Sequence, residues 1–185
     1  MEWGYTLSGL LVGFIVGLTG VGGGSLMTPL LILGFSISPA TAVGTDLLYA
    51  SLTKAGGVWV HGRRGTVDWK LVKRLSIGSL PAALLTVLGL NALGVENQIF
   101  SDLITSTLGI ALILTALALF FRNQLAHLGK SRFSALVAWR DQNIVTATIT
   151  TGVVLGILVT MTSVGAGALG MVALITLYPR TPTIN

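Results

Sequence analysis

The sequence predicts an all-α fold: a polytopic transmembrane helical bundle with inverted repeats and glycine-broken helical hairpins. Three observations predict it. Charged residues are 9% of the 185 residues, against about 25% in a soluble domain, too few to clothe a polar surface. The hydrophobic fraction is 52% and mean hydropathy is +0.86, which rules out disorder. Several of the 24 glycines cluster at two points that interrupt apolar runs, without the period of three that collagen requires. The lack of cysteine excludes a disulfide scaffold and a cysteine-ligated zinc site.

Each element follows in order. Before Tyr5 only Glu2 is charged, and no basic n-region or small-residue cleavage site precedes the first run, so Met1 reads as a native start with a retained helix. The first run, Tyr5 to Thr19, breaks at Gly20-Val21-Gly22-Gly23-Gly24. A short run, Ser25 to Phe35, ends at Ser36-Ile37-Ser38-Pro39. The third, Ala40 to Val60, carries Asp46 and Lys54, and Leu75 to Leu93 and Ile99 to Phe121 are uninterrupted. Asn143 to Met161 breaks at Ser163-Val164-Gly165-Ala166-Gly167 and resumes from Ala168 to Tyr178, before Pro179. A crossing helix needs about 20 apolar residues. The third, fourth and fifth runs meet that length; the runs beside the glycine breaks read as helical hairpins or broken helices.

The net charge is +5, and the basic residues sit between apolar runs rather than on one nucleic-acid-binding face. Segment 61–74 holds Arg63, Arg64, Lys70, Lys73 and Arg74, and segment 122–140 holds Arg122, Lys130, Arg132 and Arg140. Asn91 to Gln98 holds neither Lys nor Arg. The positive-inside rule places the two basic loops in the cytoplasm and the third outside. Trp3, Trp59, Trp69 and Trp139 fall near predicted boundaries, as an aromatic belt would place them. No His-Glu-x-x-His, Gly-x-Ser-x-Gly or acidic metal cluster is present, so neither an enzyme, a metal nor a cofactor is expected. Gly20-x-Gly22-x-Gly24 lacks the strand and third glycine of a dinucleotide fingerprint.

The chain repeats itself. With Val21 placed over Val164, a shift of 143 residues, Gly9 meets Gly152, Gly13 meets Gly156, Gly22 meets Gly165, Gly24 meets Gly167 and Pro39 meets Pro182, without a gap. Three crossings lie between the two broken units. If each unit doubles back, an odd number of crossings leaves them oppositely oriented, as in secondary transporters built on inverted repeats. The organisation is then a first transmembrane repeat at 1–121, a cytoplasmic connection at 122–142 and the start of a second repeat at 143–185. A complete second repeat would need roughly 80 more residues. The expectation is a fragment, with a naturally short relative that dimerises as the alternative.

Gly13-x-x-x-Gly17, Gly20-Val21-Gly22-Gly23-Gly24-Ser25 and Pro29, then Ala42-Val43-Gly44-Thr45, then Gly65-Thr66-Val67-Asp68-Trp69 after Arg63-Arg64, resemble the motifs of the sulfite exporter TauE/SafE family. The resemblance covers about residues 8–121 and the opening of a second half at 148–182. It implies an inner-membrane carrier of sulfite, thiosulfate, organosulfonates or other organic anions. The second glycine motif departs from the family pattern at Ala166, and a thiol mechanism is excluded.

The residues themselves suggest a site. Gly22, Gly23, Gly24 and Ser25 precede a short helix, whose N-terminus offers unpaired N–H groups and partial positive charge. Gly165, Ala166 and Gly167 would supply the opposing terminus, and a sulfur oxyanion would suit the pair. The alternative is a tight turn serving helix packing alone. Thr45 and Asp46 are added from the third run. A carboxylate at that depth points to a cavity or partner, and proton acceptor, partner of Lys54 and helix cap are its competing roles. Lys54 either attracts the anion or extends to the interface. Gly9, Gly13 and Gly17 share one helical face and are expected to let a neighbouring helix approach. The function expected is secondary transport of a small anion across the bilayer, coupled to a proton or ion. A non-transporting scaffold subunit and an anion channel are the alternatives.

Overall fold

The computed structural model describes residues 2–19, 22–65, 67–93, 98–121 and 143–178. Outside them lie Gly20, Val21, Thr66, residues 94–97, the connection 122–142 with its basic residues, His127 and Trp139, and residues 179–185 with Pro179 and Pro182. The described residues form an all-α membrane bundle of seven helical elements without a strand.

α1 (Glu2–Thr19) leads across the first glycine break into α2 (Gly23–Gly34). α2 is irregular: a tight turn at Gly23–Ser25, an α turn at Met27–Pro29 and a wide π turn at Leu30–Gly34. Pro29 has no N–H to offer the preceding turn, which prevents one smooth helix. α3 (Pro39–Arg63) begins with proline in its first turn, where the missing N–H costs nothing. It stops at Gly65, whose φ of 67° is the left-handed conformation of a helix end. α4 (Trp69–Leu93) then starts under Asp68, whose Oδ1 accepts the N–H groups of Lys70 at 3.0 Å and Leu71 at 3.2 Å. The Gly65 to Trp69 motif is therefore a helix stop followed by a helix cap. α5 (Gln98–Phe120), α6 (Ile144–Thr162) and α7 (Ala168–Leu177) complete the bundle.

Trp69–Ala92, Gln98–Phe120 and Ile144–Thr162 are long and apolar enough to cross a membrane. This differs from expectation in two places. α3 has the length, at 25 residues, but Asp46, Lys54, His61 and Arg63 lower its hydropathy. α6, at 19 residues, is long enough to cross, although it opens a broken unit. Trp3, Trp59 and Trp69 lie exposed at helix ends, and the Arg63 guanidinium stacks 4.2 Å from the Trp59 ring centre.

Both broken units double back. Tyr5 near the start of α1 stacks on Phe35 beyond α2, ring centres 4.4 Å apart. The Thr148 and Tyr178 hydroxyls, at the start of α6 and just past α7, are 2.8 Å apart. Tyr5 and Thr148 occupy the same place in the 143-residue shift, and so do Phe35 and Tyr178. The two ties are chemically different and join equivalent points.

α6 packs most closely on α4. A Cβ at Gly78 would collide with the Ile149 carbonyl, one at Gly152 with the Leu75 carbonyl, and one at Gly156 would stand 2.6 Å from the Ser79 carbonyl. The aligned stripe on α1 behaves otherwise: Gly9 and Gly17 face nothing within 4 Å, and Gly13 only the Tyr49 hydroxyl at 3.7 Å. α5 forms the backing. Phe100 and Ile104 pack with Val43 of α3, while Leu108 and Ala111 pack with Val164 of the second break and Ile32 of α2. From Ile144 to Tyr178 the sequence holds no Asp, Glu, Lys, Arg or His.

Candidate functional site

The two glycine breaks meet. Gly22 has φ 100° and Gly165, its counterpart in the repeat, has φ 105°, a conformation that side-chain-bearing residues rarely adopt. A Cβ at Gly24 would coincide with the Ser163 carbonyl, and one at Gly22 would stand 3.8 Å from the Gly167 backbone. Numbering rises along the first break where it falls along the second, so the two segments pass each other in opposite directions. Val164, 1% exposed, anchors the second break on α5 by apolar burial.

Asp46 of α3 reaches this junction and is 1% exposed. Its Oδ2 accepts a 3.1 Å hydrogen bond from the Thr28 hydroxyl of α2. Its Oδ1 lies 3.5 Å from the point where a Gly23 Cβ would stand, and it has no hydrogen-bond partner among the described residues. The Ser163 and Thr115 hydroxyls are also buried without a partner. Buried polar atoms are nearly always paired, and two of these orphans, Asp46 Oδ1 and the Ser163 hydroxyl, belong to residues that meet the first glycine break. Thr162 braces the second break: its hydroxyl donates to the Leu158 carbonyl at 2.6 Å and accepts the Val164 N–H at 3.1 Å. Thr19, its counterpart, donates to the Ile15 carbonyl at 2.8 Å.

Of the sequence-selected residues, Gly22, Gly23, Gly24, Asp46 and Gly167 come together. Gly165 shapes the second turn. The Ser25 hydroxyl donates to the Gly22 carbonyl at 2.9 Å, so it caps its own turn. Thr45 is exposed on α3 and stands apart from Asp46's buried face. Ala166 is exposed and borders a cavity of 320 Å³ between α4 and α6 with Ser79, Gly152, Gly156 and Thr160. Lys54 is exposed. Sequence reasoning missed Thr28, Thr115, Thr162 and Ser163. The Thr19 and Thr162 match in the repeat was a readable signal for one of them; Thr28 and Thr115 carried none. Among the described residues no group of three His, Cys, Asp or Glu is placed to hold a metal.

Chemically, the junction sets opposite polarities side by side. α7 begins at Gly167 with no side chain capping it, and a helix N-terminus carries partial positive charge. The carboxyl group of Asp46 lies against Gly23 and Gly24 of the first break, whose Gly22 meets Gly167.

The profile of the sulfite exporter TauE/SafE family matches residues 5–184. The chain is 43% identical over 172 residues to the probable membrane transporter protein YjnA of Bacillus subtilis (strain 168), an alignment covering 93% of this chain and 66% of YjnA. It is 42% identical over 59 residues to the probable membrane transporter protein YunE of the same organism, covering 32% of this chain and 22% of YunE. A probable membrane transporter protein of Xylella fastidiosa (strain Temecula1 / ATCC 700964) is 31% identical over 108 residues, 57% of this chain and 41% of that protein. The chain thus spans about two thirds of YjnA's length and less of the others. No solved structure matches it. A profile match across nearly the whole chain makes it a member of the sulfite exporter TauE/SafE family.

Proposed function

We propose that the chain forms part of a secondary carrier for a small anion, a sulfite, thiosulfate or organosulfonate, in the cell inner membrane. The two doubled-back units act as an inverted repeat, with loops 61–74 and 122–140 on the cytoplasmic side. The anion is held where the breaks cross, against the Gly22 to Gly24 turn and the N-terminus of α7 at Gly167. Rocking one hairpin against the other exposes the junction to each side in turn. The observation that carries this reading is the meeting of two aligned glycine breaks, distant in sequence, beside orphaned buried oxygens of Asp46 and Ser163. Family membership supports the transporter class, and the printed family name supports sulfur oxyanions as first candidates.

The test is uptake of labelled sulfite, thiosulfate and toluenesulfonate into proteoliposomes holding the protein. Saturable flux is expected with at least one of them, and Gly23→Leu or Gly167→Leu should lower it at least tenfold by filling the junction. Intact flux in both variants, with unchanged melting in detergent, would remove the junction as the site. Flux that never saturates favours a channel. No flux and no anion-dependent melting shift favours a scaffold.

A further inference from the structure

We propose that Asp46 is the coupling acid of this site: it takes up one proton as the anion binds, and the two cross together. The proposal rests on the carrier reading above and adds to it the identity and place of the coupling ion.

The argument starts from what faces Asp46. From Gly22 to Gly34 there is no ionisable side chain, and from Ile144 to Leu177 there is none either. α5 carries only Asp102, which is exposed and accepts a 3.1 Å bond from the Gln98 side chain one turn away. On α3 itself Tyr49, Lys54, His61 and Arg63 are all exposed. α1 contributes Tyr5, stacked on Phe35, and Glu2 in its first turn; Lys70, Lys73 and Arg74 belong to the start of α4. No cation therefore faces Asp46 among the described residues. Among the described residues its single donor, the Thr28 hydroxyl, engages Oδ2, leaving Oδ1 toward Gly23 without a partner.

An anion seated at the same glycines would lie against this carboxyl group in a dry, protein-lined junction. Two adjacent negative charges with no cation between them repel strongly at low dielectric. A proton on Oδ1 removes one charge and turns the orphaned acceptor into a donor. The protonated oxygen can then give its hydrogen to an oxygen of the anion, a short charge-assisted bond. No covalent bond to the anion forms: the proton arrives from solvent with the anion and leaves with it.

Linkage makes the consequence measurable: if the anion favours protonated Asp46, protons favour anion binding by the same factor. Thiosulfate is the probe, because it keeps its own charge across neutral pH. Calorimetric titration of the protein in two buffers of different ionisation heat counts protons taken up per anion. One proton per thiosulfate is expected above the pH at which the free site protonates, with affinity rising about tenfold per unit of falling pH there. Asp46→Asn, a permanently neutral donor, should bind thiosulfate at least as tightly as the wild type above that pH, with no proton uptake and a flat pH profile. Asp46→Glu should restore the pH dependence. Thiosulfate binding without proton uptake by the wild type overturns the coupling proposal and leaves the carrier reading standing. So does an Asp46→Asn variant with the wild-type proton count, or binding that follows sodium at fixed pH. Absence of binding by any sulfur anion at any pH removes both readings.

Discussion

The hairpin α1–α2 and the hairpin α6–α7 carry glycines at the same places and use them differently. Gly152 and Gly156 press into the backbone of α4, while Gly9 faces open space and Gly13 meets only a hydroxyl. Close approach between helices in lipid is favourable because small residues let backbones touch. That benefit is present on α6 and missing on α1 within this chain. At the breaks themselves the two hairpins agree: Gly22 and Gly165 share a left-handed backbone, and Thr19 and Thr162 bond back one turn. Equal sequence therefore fixes local backbone shape in both hairpins, whereas the packing of each depends on which neighbour is there to meet it.

Substitutions can break that comparison, and the largest effects belong where backbones touch. Gly24→Ala and Gly152→Ala each force a methyl group into a carbonyl, and overpacking of this kind should lower unfolding free energy by about 3 kcal/mol or more, measured by denaturant titration in micelles. The counterpart Gly9→Ala should go the other way, gaining up to about 1 kcal/mol from helix propensity. A Gly9→Ala loss as large as that of Gly152→Ala would show that α1 packs as tightly as α6. Smaller still is Thr148→Val, which removes the tie to Tyr178 and should cost about 0.6 kcal/mol, as hydrogen bonds between membrane helices do. Opening of α7 on its own, seen as faster amide exchange near Tyr178, would accompany that loss.

The bundle and both breaks were legible in the sequence because apolar runs and glycine clusters are local signals. The 143-residue shift also marked Gly22 and Gly165, whose matching φ values follow from glycine's lack of a Cβ. Three features were less legible. The hydropathy of α3 falls because Asp46 and Lys54 lie on it, so run length alone overstated its likeness to the fourth and fifth runs. Thr45 and Asp46 are neighbours in sequence, but successive residues of a helix point about 100° apart, and only Asp46 faces inward. Thr28 and Ser163 gain their meaning from contacts between elements far apart in the chain, which no local pattern encodes.

The uncharged stretch from Ile144 to Tyr178 has an electrical consequence. A membrane potential does work only on charge that moves through it, about 2.3 kcal/mol per elementary charge per 100 mV. A hairpin with no acidic or basic side chain gives that field almost nothing to pull on, so any motion of α6 and α7 is voltage-silent by itself. If the chain is part of the proton-coupled carrier proposed above, its cargo sets the electrical character of the cycle: a monovalent anion accompanied by its proton would cross as a neutral pair, while a divalent one would carry a single net negative charge and be pushed toward the positive side.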